Sequence, residues 1–187
     1  MSPTGAPAGR LGSRTVRRVV FTAEEVSARV RELGTEISRA YGAEDRLLVI
    51  GLLKGSFVFL ADLVREIDVP LHVDFLVAAS YGTGTKSSGD VRLLYDPASS
   101  LEGRAVLVVE DIIDSGTTLR ALLPRLQARA PASLDVCALL HKRLDPDDLK
   151  PRWVGFDAPN EFLVGYGLDH AEDFRHLPYV ASLQLAE

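Results

Sequence analysis

Apolar positions recur along the chain in two rhythms, and the alternation between them predicts the architecture. Val26, Val30, Leu33 and Ile37 follow helical spacing, the stretch Thr22-Ala23-Glu24-Glu25 before them has the capping-box pattern, and Gly42 offers a stop. Residues 47–53 are apolar without alternation, as in a strand buried on both faces. A helix is then predicted over 56–67, carrying Phe57, Phe59, Leu60, Leu63, Val64 and Ile67, and a strand over 71–79. Residues 105–109 are again a β-branched apolar run, followed from about Thr117 by Leu119, Leu122, Leu123 and Leu126 on one helical face, and 134–140 form another continuous apolar strand. Strands alternating with helices predict an α/β fold with a central, mainly parallel sheet covered by helices on both faces.

The two ends read differently. Residues 1–12 are rich in Pro, Gly, Ala and Ser, arginines follow, and no acid precedes Glu24. That start lacks the apolar core of a secretory signal, and its prolines and glycines oppose the amphipathic helix of a transit peptide, so a disordered tail is predicted over 1–20. Residues 21–187 are predicted to form one domain. Near its end, the short strand-like runs 153–156, 162–166 and 180–185 are broken by Pro159, Gly165, Gly167 and Pro178, which suits a small cap over the sheet edge built from about 152–187.

Charge and composition remove several classes. A net charge of −5 supplies no basic excess for broad nucleic-acid binding. No apolar stretch approaches the roughly 20 residues that span a bilayer. The single cysteine, Cys137, lies in an apolar run, so it has no internal disulfide partner and fits core packing in a reducing cytoplasm.

The chemistry gathers where apolar strands end. The run at 106–109 passes into Glu110, Asp111 and Asp114 and then Ser115-Gly116-Thr117-Thr118, at the opening of a helix. In open α/β sheets, ligands bind beyond the carboxyl ends of strands. Backbone N–H groups, hydroxyls and a helix N-terminus there make an anion cradle, with Gly116 admitting close approach. A Walker loop would bring a lysine to this place, whereas this chain brings carboxylates, which suit a ribose diol or a Mg2+ ion that offsets phosphate charge. The plain alternative is that Asp114 and Ser115 only turn the chain and cap the helix while Glu110 and Asp111 are solvated.

Lys54-Gly55-Ser56 marks a second strand-to-helix turn suited to an anion, although Lys54 also reads as a surface lysine. His141-Lys142-Arg143 puts cations at the end of another central strand; His141 itself reads as structural rather than catalytic. Residues 162–169 offer Phe162, Leu163, exposed backbone and Asp169, fitting a flat heterocycle, though Phe162 and Leu163 also suit plain core packing. Residues 80–96 carry Gly82, Gly84 and Gly89 among hydroxyls and show no periodicity, leaving a functional lid or a plain hairpin or linker.

The segment Glu-Asp-Ile-Ile-Asp-Ser-Gly at 110–116 resembles the phosphoribosyl-pyrophosphate signature of type I phosphoribosyltransferases, close to their hypoxanthine-guanine branch, and the resemblance runs from about Leu47 to Arg175. It implies the type I phosphoribosyltransferase fold with a small hood, and an enzyme of purine salvage. Such an enzyme transfers ribose 5-phosphate from phosphoribosyl pyrophosphate to N9 of hypoxanthine or guanine, giving IMP or GMP and pyrophosphate. By the same resemblance Glu110, Asp111, Asp114, Ser115, Gly116, Thr117 and Thr118 bind the phosphoribosyl group, and Asp114 acts in acid/base catalysis. Lys54, Gly55 and Arg175 bind pyrophosphate, with a cis peptide at Lys54–Gly55; Ser80 and Tyr81 open the lid. Lys142 reads the purine O6, Phe162 stacks on the base, and the backbone of Leu163 meets its edge. Glu110, Asp111 and Asp169 surround Mg2+. A homo-oligomer, dimer or tetramer, in the cytoplasm completes the picture. Ser115 stands where many members have Thr, and Leu163 where others have Val; neither change removes a functional group.

Two rival readings stay open at this level. One is a phosphoribosyltransferase for xanthine or a pyrimidine. The other is a nucleic-acid-binding regulator on the same fold, which would need either a DNA-binding module, for which the residues before the first helix are too few, or a basic face and a different signature.

Overall fold

A six-stranded sheet organises the molecule, which a computed structural model describes over residues 16–80, 91–144 and 149–184. In chain order the elements are β1 (Val16–Phe21), α1 (Ala23–Ala40), β2 (Leu47–Leu53), α2 (Phe57–Leu63), β3 (Leu71–Ser80), β4 (Val91–Tyr95), β5 (Ala105–Ile113), α3 (Thr117–Gln127), β6 (Ser133–His141), β7 (Trp153–Asp157), β8 (Leu163–Val164) and β9 (Val180–Leu183). The large sheet runs β4-β3-β2-β5-β6-β7, and all its pairs are parallel except β3 with β4.

The lack of alternation in the central strands now has its reason. Successive side chains point to opposite faces, and both faces are apolar. Leu47, Val49, Leu107, Val109, Cys137 and Leu139 pack on one face against Val26, Val30, Leu33 and Ile37 of α1 and Phe59, Leu60 and Leu63 of α2. Leu48, Ile50, Val106, Val108, Val136 and Ala138 pack on the other against Leu119, Leu122 and Leu126 of α3. Each such side chain contributes about 1.5–3 kcal/mol by leaving water, so truncating the fully buried Leu33 to Ala costs about 2–5 kcal/mol. The capping box forms as predicted: Glu25 N–H donates to Thr22 Oγ1 at 3.2 Å and Thr22 N–H to Glu25 Oε2 at 2.8 Å. Helix α2 is shorter than its periodicity suggested, ending at Leu63, while Ile67 still packs in the core from the following turn.

Three boundaries differ from the sequence reading. The predicted tail at 1–20 includes β1, which pairs antiparallel with β9 from Val16 opposite Leu183 to Phe21 opposite Val180; residues 1–15 lie outside the described residues. The hood is therefore the sheet β1-β9-β8, drawn from both ends of the chain. Its Phe21 stacks on Phe156 with ring centroids 4.2 Å apart, fastening hood to main sheet. Strand β7 was placed in the cap but extends the main sheet, in parallel register with β6 from Cys137 opposite Trp153. Arg29 of α1 protects that edge, donating to the carbonyls of Val154 and Gly155 at 3.0 Å each. Finally, Val91–Tyr95 is a strand, so the aperiodic segment 80–96 ends in a hairpin arm; residues 81–90 lie outside the described residues.

Candidate active site

The register of the sheet opens the site. Pairing of β5 with β2 stops at Val109 opposite Gly51, whereas pairing with β6 continues to Ile113 opposite His141. Beyond Val109 the chain leaving β2 turns to α2 on one face, and the chain leaving β5 turns to α3 on the other. Such a divergence between neighbouring strands is a topological switch point, the place where open α/β sheets bind ligands.

Around it the structure assembles three groups. The first is the anion cradle: a pocket with about 300 Å3 of empty space, open to solvent, lined by Glu110 and the turn 112–119. Gly116 N-caps α3 in the left-handed region at φ 69°, which aims the first turn's N–H groups into the pocket. Ser115 Oγ and Thr117 Oγ1 lie 2.9 Å apart, and Arg120 braces the turn by donating to the Ser115 carbonyl at 2.7 Å. The sequence reading missed Arg120, although its place one turn beyond Gly116 was a usable signal.

The second group is carboxylate-rich. Glu110 is 8% exposed, its Oε2 has no hydrogen-bond partner, and burial, then the Asp111 charge, pushes its pKa up. Asp111 accepts from Ile112 N–H at 2.8 Å, and burial pushes its pKa up to about 6 against the pull of that bond and of Arg175. Asp114 is exposed and accepts from Lys142 Nζ at 3.0 Å; the Lys142 side chain, at the end of β6, is only 9% exposed. One lysine proposed for the base and one acid proposed for catalysis are thus joined across two strand ends.

The third group ties two turns together. Gly167, at φ 100°, lies so close to the β2 turn that a Cβ on it would sit 2.2 Å from the Gly55 carbonyl oxygen. Arg175 donates to the Gly167 carbonyl at 2.8 Å and pairs with Asp169 at 2.8 Å and Glu172 at 3.3 Å. Glu172 also accepts from Lys54 at 3.0 Å, so one carboxylate bridges both predicted pyrophosphate cations, and they hold it below the usual carboxylate range. Sequence reasoning missed Glu172, whose only signal was its spacing of three from Arg175. The cis peptide is also corrected: it is Leu53–Lys54, one bond before the Lys54–Gly55 bond expected.

Other candidates sit less centrally. Phe162 is 41% exposed at the start of β8, with its ring 5.0 Å from that of His170, and Leu163 is buried in the hood. Among the described residues, no cation–π contact joins Phe162 to Lys142. Ser80 ends β3, and Tyr81 lies outside the described residues. His141 is buried at the end of β6, consistent with a structural role.

For a cation, the described residues offer no group of three or more His, Cys, Asp or Glu close enough to enclose an ion. They do offer a buried, unpartnered Glu110 oxygen and a half-buried Asp111 whose ionisation is disfavoured. That donor set fits a hard divalent ion that keeps waters and takes its remaining oxygens from a phosphorylated substrate.

A mainly parallel sheet that ends at its switch point in carboxylates and a glycine-capped helix defines an α/β protein that takes its ligand beyond the strand ends, and residues 20–171 match the phosphoribosyl transferase domain family. Hypoxanthine phosphoribosyltransferase of Haemophilus influenzae is 44% identical over 172 residues, covering 90% of this chain and 96% of that protein. Hypoxanthine-guanine phosphoribosyltransferase of Dictyostelium discoideum is likewise 44% identical over 172 residues, with coverage of 90% and 96%. The crystal structure of a hypoxanthine phosphoribosyltransferase from Staphylococcus aureus superposes with a TM-score of 0.86 at 39% identity, covering 90% of this chain and 92% of that one. The chain belongs to the phosphoribosyltransferase family, in its hypoxanthine-guanine branch.

Proposed function

We propose that this protein is a purine-salvage pentosyltransferase that moves ribose 5-phosphate from phosphoribosyl pyrophosphate to N9 of hypoxanthine or guanine. The observation that carries this reading is the switch-point gap beyond Val109, where acids, a glycine-capped helix and a cation cluster converge. Ser115, Gly116, Thr117 and Thr118 hold the 5′-phosphate, and Glu110 and Asp111 hold the ribose diol. Lys54, the Gly55 backbone and Arg175 receive pyrophosphate once Glu172 yields its place between the two cations. Mg2+ would be held by Asp169 and by Glu110 and Asp111, and when bound it neutralises charge on the leaving pyrophosphate.

In the reaction, purine N9 forms a bond to ribose C1 as the C1–O bond to pyrophosphate breaks, and the bonding pair leaves on the pyrophosphate oxygen. The proton lost by the purine passes from N7 to Asp114, the carboxylate that accepts from Lys142. An ammonium has three donors, so Lys142 can hold Asp114 and the purine O6 together. Phe162 stacks on the base and the Leu163 backbone meets its edge. Exposed Phe57, Val73 and Phe75 support a homo-oligomer, and the lone buried Cys137 supports a cytoplasmic setting.

Side-by-side turnover of hypoxanthine, guanine, xanthine and adenine, each with Mg2+ and with excess chelator, tests the proposal. Hypoxanthine or guanine should react, adenine should be rejected, and chelator should abolish turnover. Preference for adenine or xanthine, or full turnover in chelator, overturns it.

A further inference from the structure

The opposite end of the sheet carries another pocket, largely apolar but with cationic side chains on its wall, that the reaction does not use. It lies where β2 and β3 begin and just before β5, lined by Arg46, Leu47, Pro70, Leu71, His72 and Arg104, with about 610 Å3 of empty space including its open mouth. Arg104 and Asp111 are separated along β5 by about 23 Å at about 3.3 Å per residue, so no ligand of the switch-point site reaches it.

Arg104 is the informative residue. It is only 6% exposed, and its Nε and one Nη donate to the carbonyls of Arg46 and Leu47 at 2.8 and 3.4 Å. Among the described residues no carboxylate pairs with it; its bonds go to backbone carbonyls. Buried charges are ordinarily paired, because removing a charge from water costs several kcal/mol. Here a neighbouring charge of the same sign adds to that cost: burial first, then the Arg46 cation, pulls the guanidinium below the usual arginine pKa. Arg46 and His72, also on the pocket wall, have no acidic partner among the described residues. The adjacent acid in sequence is engaged elsewhere, since Asp45 accepts from Gly42 N–H at 2.6 Å.

We propose that Arg46, His72 and Arg104 form an anion site for a phosphate group at the amino end of the sheet, separate from the active site. Two guanidinium groups and an imidazole around one opening match a tetrahedral dianion, which would supply the counter-charge Arg104 lacks. Free phosphate and a nucleotide phosphate share this chemistry, and the test separates these sources.

Backbone amide shifts of the full-length protein are followed during titration with inorganic phosphate, and separately with ATP. Saturable shifts should appear at residues 46–47, 71–72 and 104–105, apart from those at 115–118. Arg46→Asn is the variant of choice because Arg46 has a left-handed φ of 52°, which Asn tolerates, while Arg104 stays in place to brace the sheet. It should weaken the amino-end response roughly tenfold or more while leaving the 115–118 response and purine turnover unchanged. His72→Gln should weaken it less. Tighter saturation by ATP identifies a nucleotide phosphate as the ligand; equal or weaker saturation identifies free phosphate. Absence of saturable shifts at the amino end, or shifts there that survive Arg46→Asn unchanged, overturns the proposal.

Discussion

Adding one methyl group at Gly55 should separate catalysis from stability. An ideal Cβ there would lie 1.6 Å from Asp111 Oδ2 and 2.5 Å from its Cγ, where ordinary contact begins at 3.4 Å. The carboxylate must therefore retreat by about 1.8 Å. Because the colliding atom is the tip of a side chain, rotation can relieve the clash. The fold then loses little more than the 2.8 Å bond from Ile112 N–H, worth about 0.5–1.5 kcal/mol. Gly55 is not among the glycines with positive φ, so the alanine also gains about 0.4–1 kcal/mol by restricting the unfolded chain. Net stability should stay within about 1 kcal/mol of the parent. Activity should not: misplacing a reacting or binding group by about 1 Å costs on the order of 10² in rate. Gly167→Ala provides the contrast, because its Cβ would meet the Gly55 carbonyl oxygen at 2.2 Å and its φ is 100°. Backbone strain and overpacking there should cost about 2–6 kcal/mol. Urea unfolding and kcat/KM on both variants decide the matter. A Gly55→Ala enzyme within about threefold of parental kcat/KM would show that the Asp111 position is not used, and a loss of stability above about 3 kcal/mol would show that backbone, not carboxylate, gives way.

Further perturbations test single roles. Asp114→Asn replaces an exposed carboxylate by an amide whose oxygen can still accept from Lys142, so it should fold normally yet slow turnover by roughly 10² in steady-state assays. Lys142→Ala should cut kcat/KM for hypoxanthine roughly tenfold to a hundredfold and so erode its ratio to adenine, whereas Phe162→Ala should weaken all purines together; an unchanged ratio in Lys142→Ala would remove the lysine as reader of O6. In metal-free protein, Asp111 protonates at about 6 when folded and near 3.8 when unfolded, so its ionisation lowers stability as pH rises through that window and the cost then stays constant above it. Asp111→Asn should accordingly be more stable than the parent at pH 7, by at most roughly 3 kcal/mol, with the gain gone below about pH 4 by urea titration.

How much of this was visible beforehand depended on whether a signal was local. The central strands were legible because burial on both faces leaves a run such as Leu47 to Leu53 without alternation, and the capping box declared α1 within four residues. Strand β1 was not, because its identity comes from pairing with β9 at the far end of the chain, and its arginines read as tail until Arg17 and Arg18 are seen paired with Glu161. Strand β7 was recognised as a strand but assigned to the wrong sheet. Its neighbour is fixed by the packing of Trp153 near Tyr41, with centroids 5.9 Å apart, and not by anything within its own five residues.

The site divides along the same line. The turn from β5 into α3 was legible since one segment supplies strand, acids, glycine and helix start. The bridge through Glu172 was not, since it exists only where the Lys54 turn meets the loop that carries Arg175. Glu110 and Asp111 show why adjacency in sequence misleads. Read as a pair, they were given one shared task, yet neighbours in a strand point to opposite faces. Glu110 lines the cradle with the turn 112–119, while Asp111 lies against Gly55 and feels the charges of Arg175 and Asp169. The period of two thus turns one acidic dipeptide into contacts on both sides of β5, so a sugar held there can be gripped from its phosphate side and its pyrophosphate side by a single strand end.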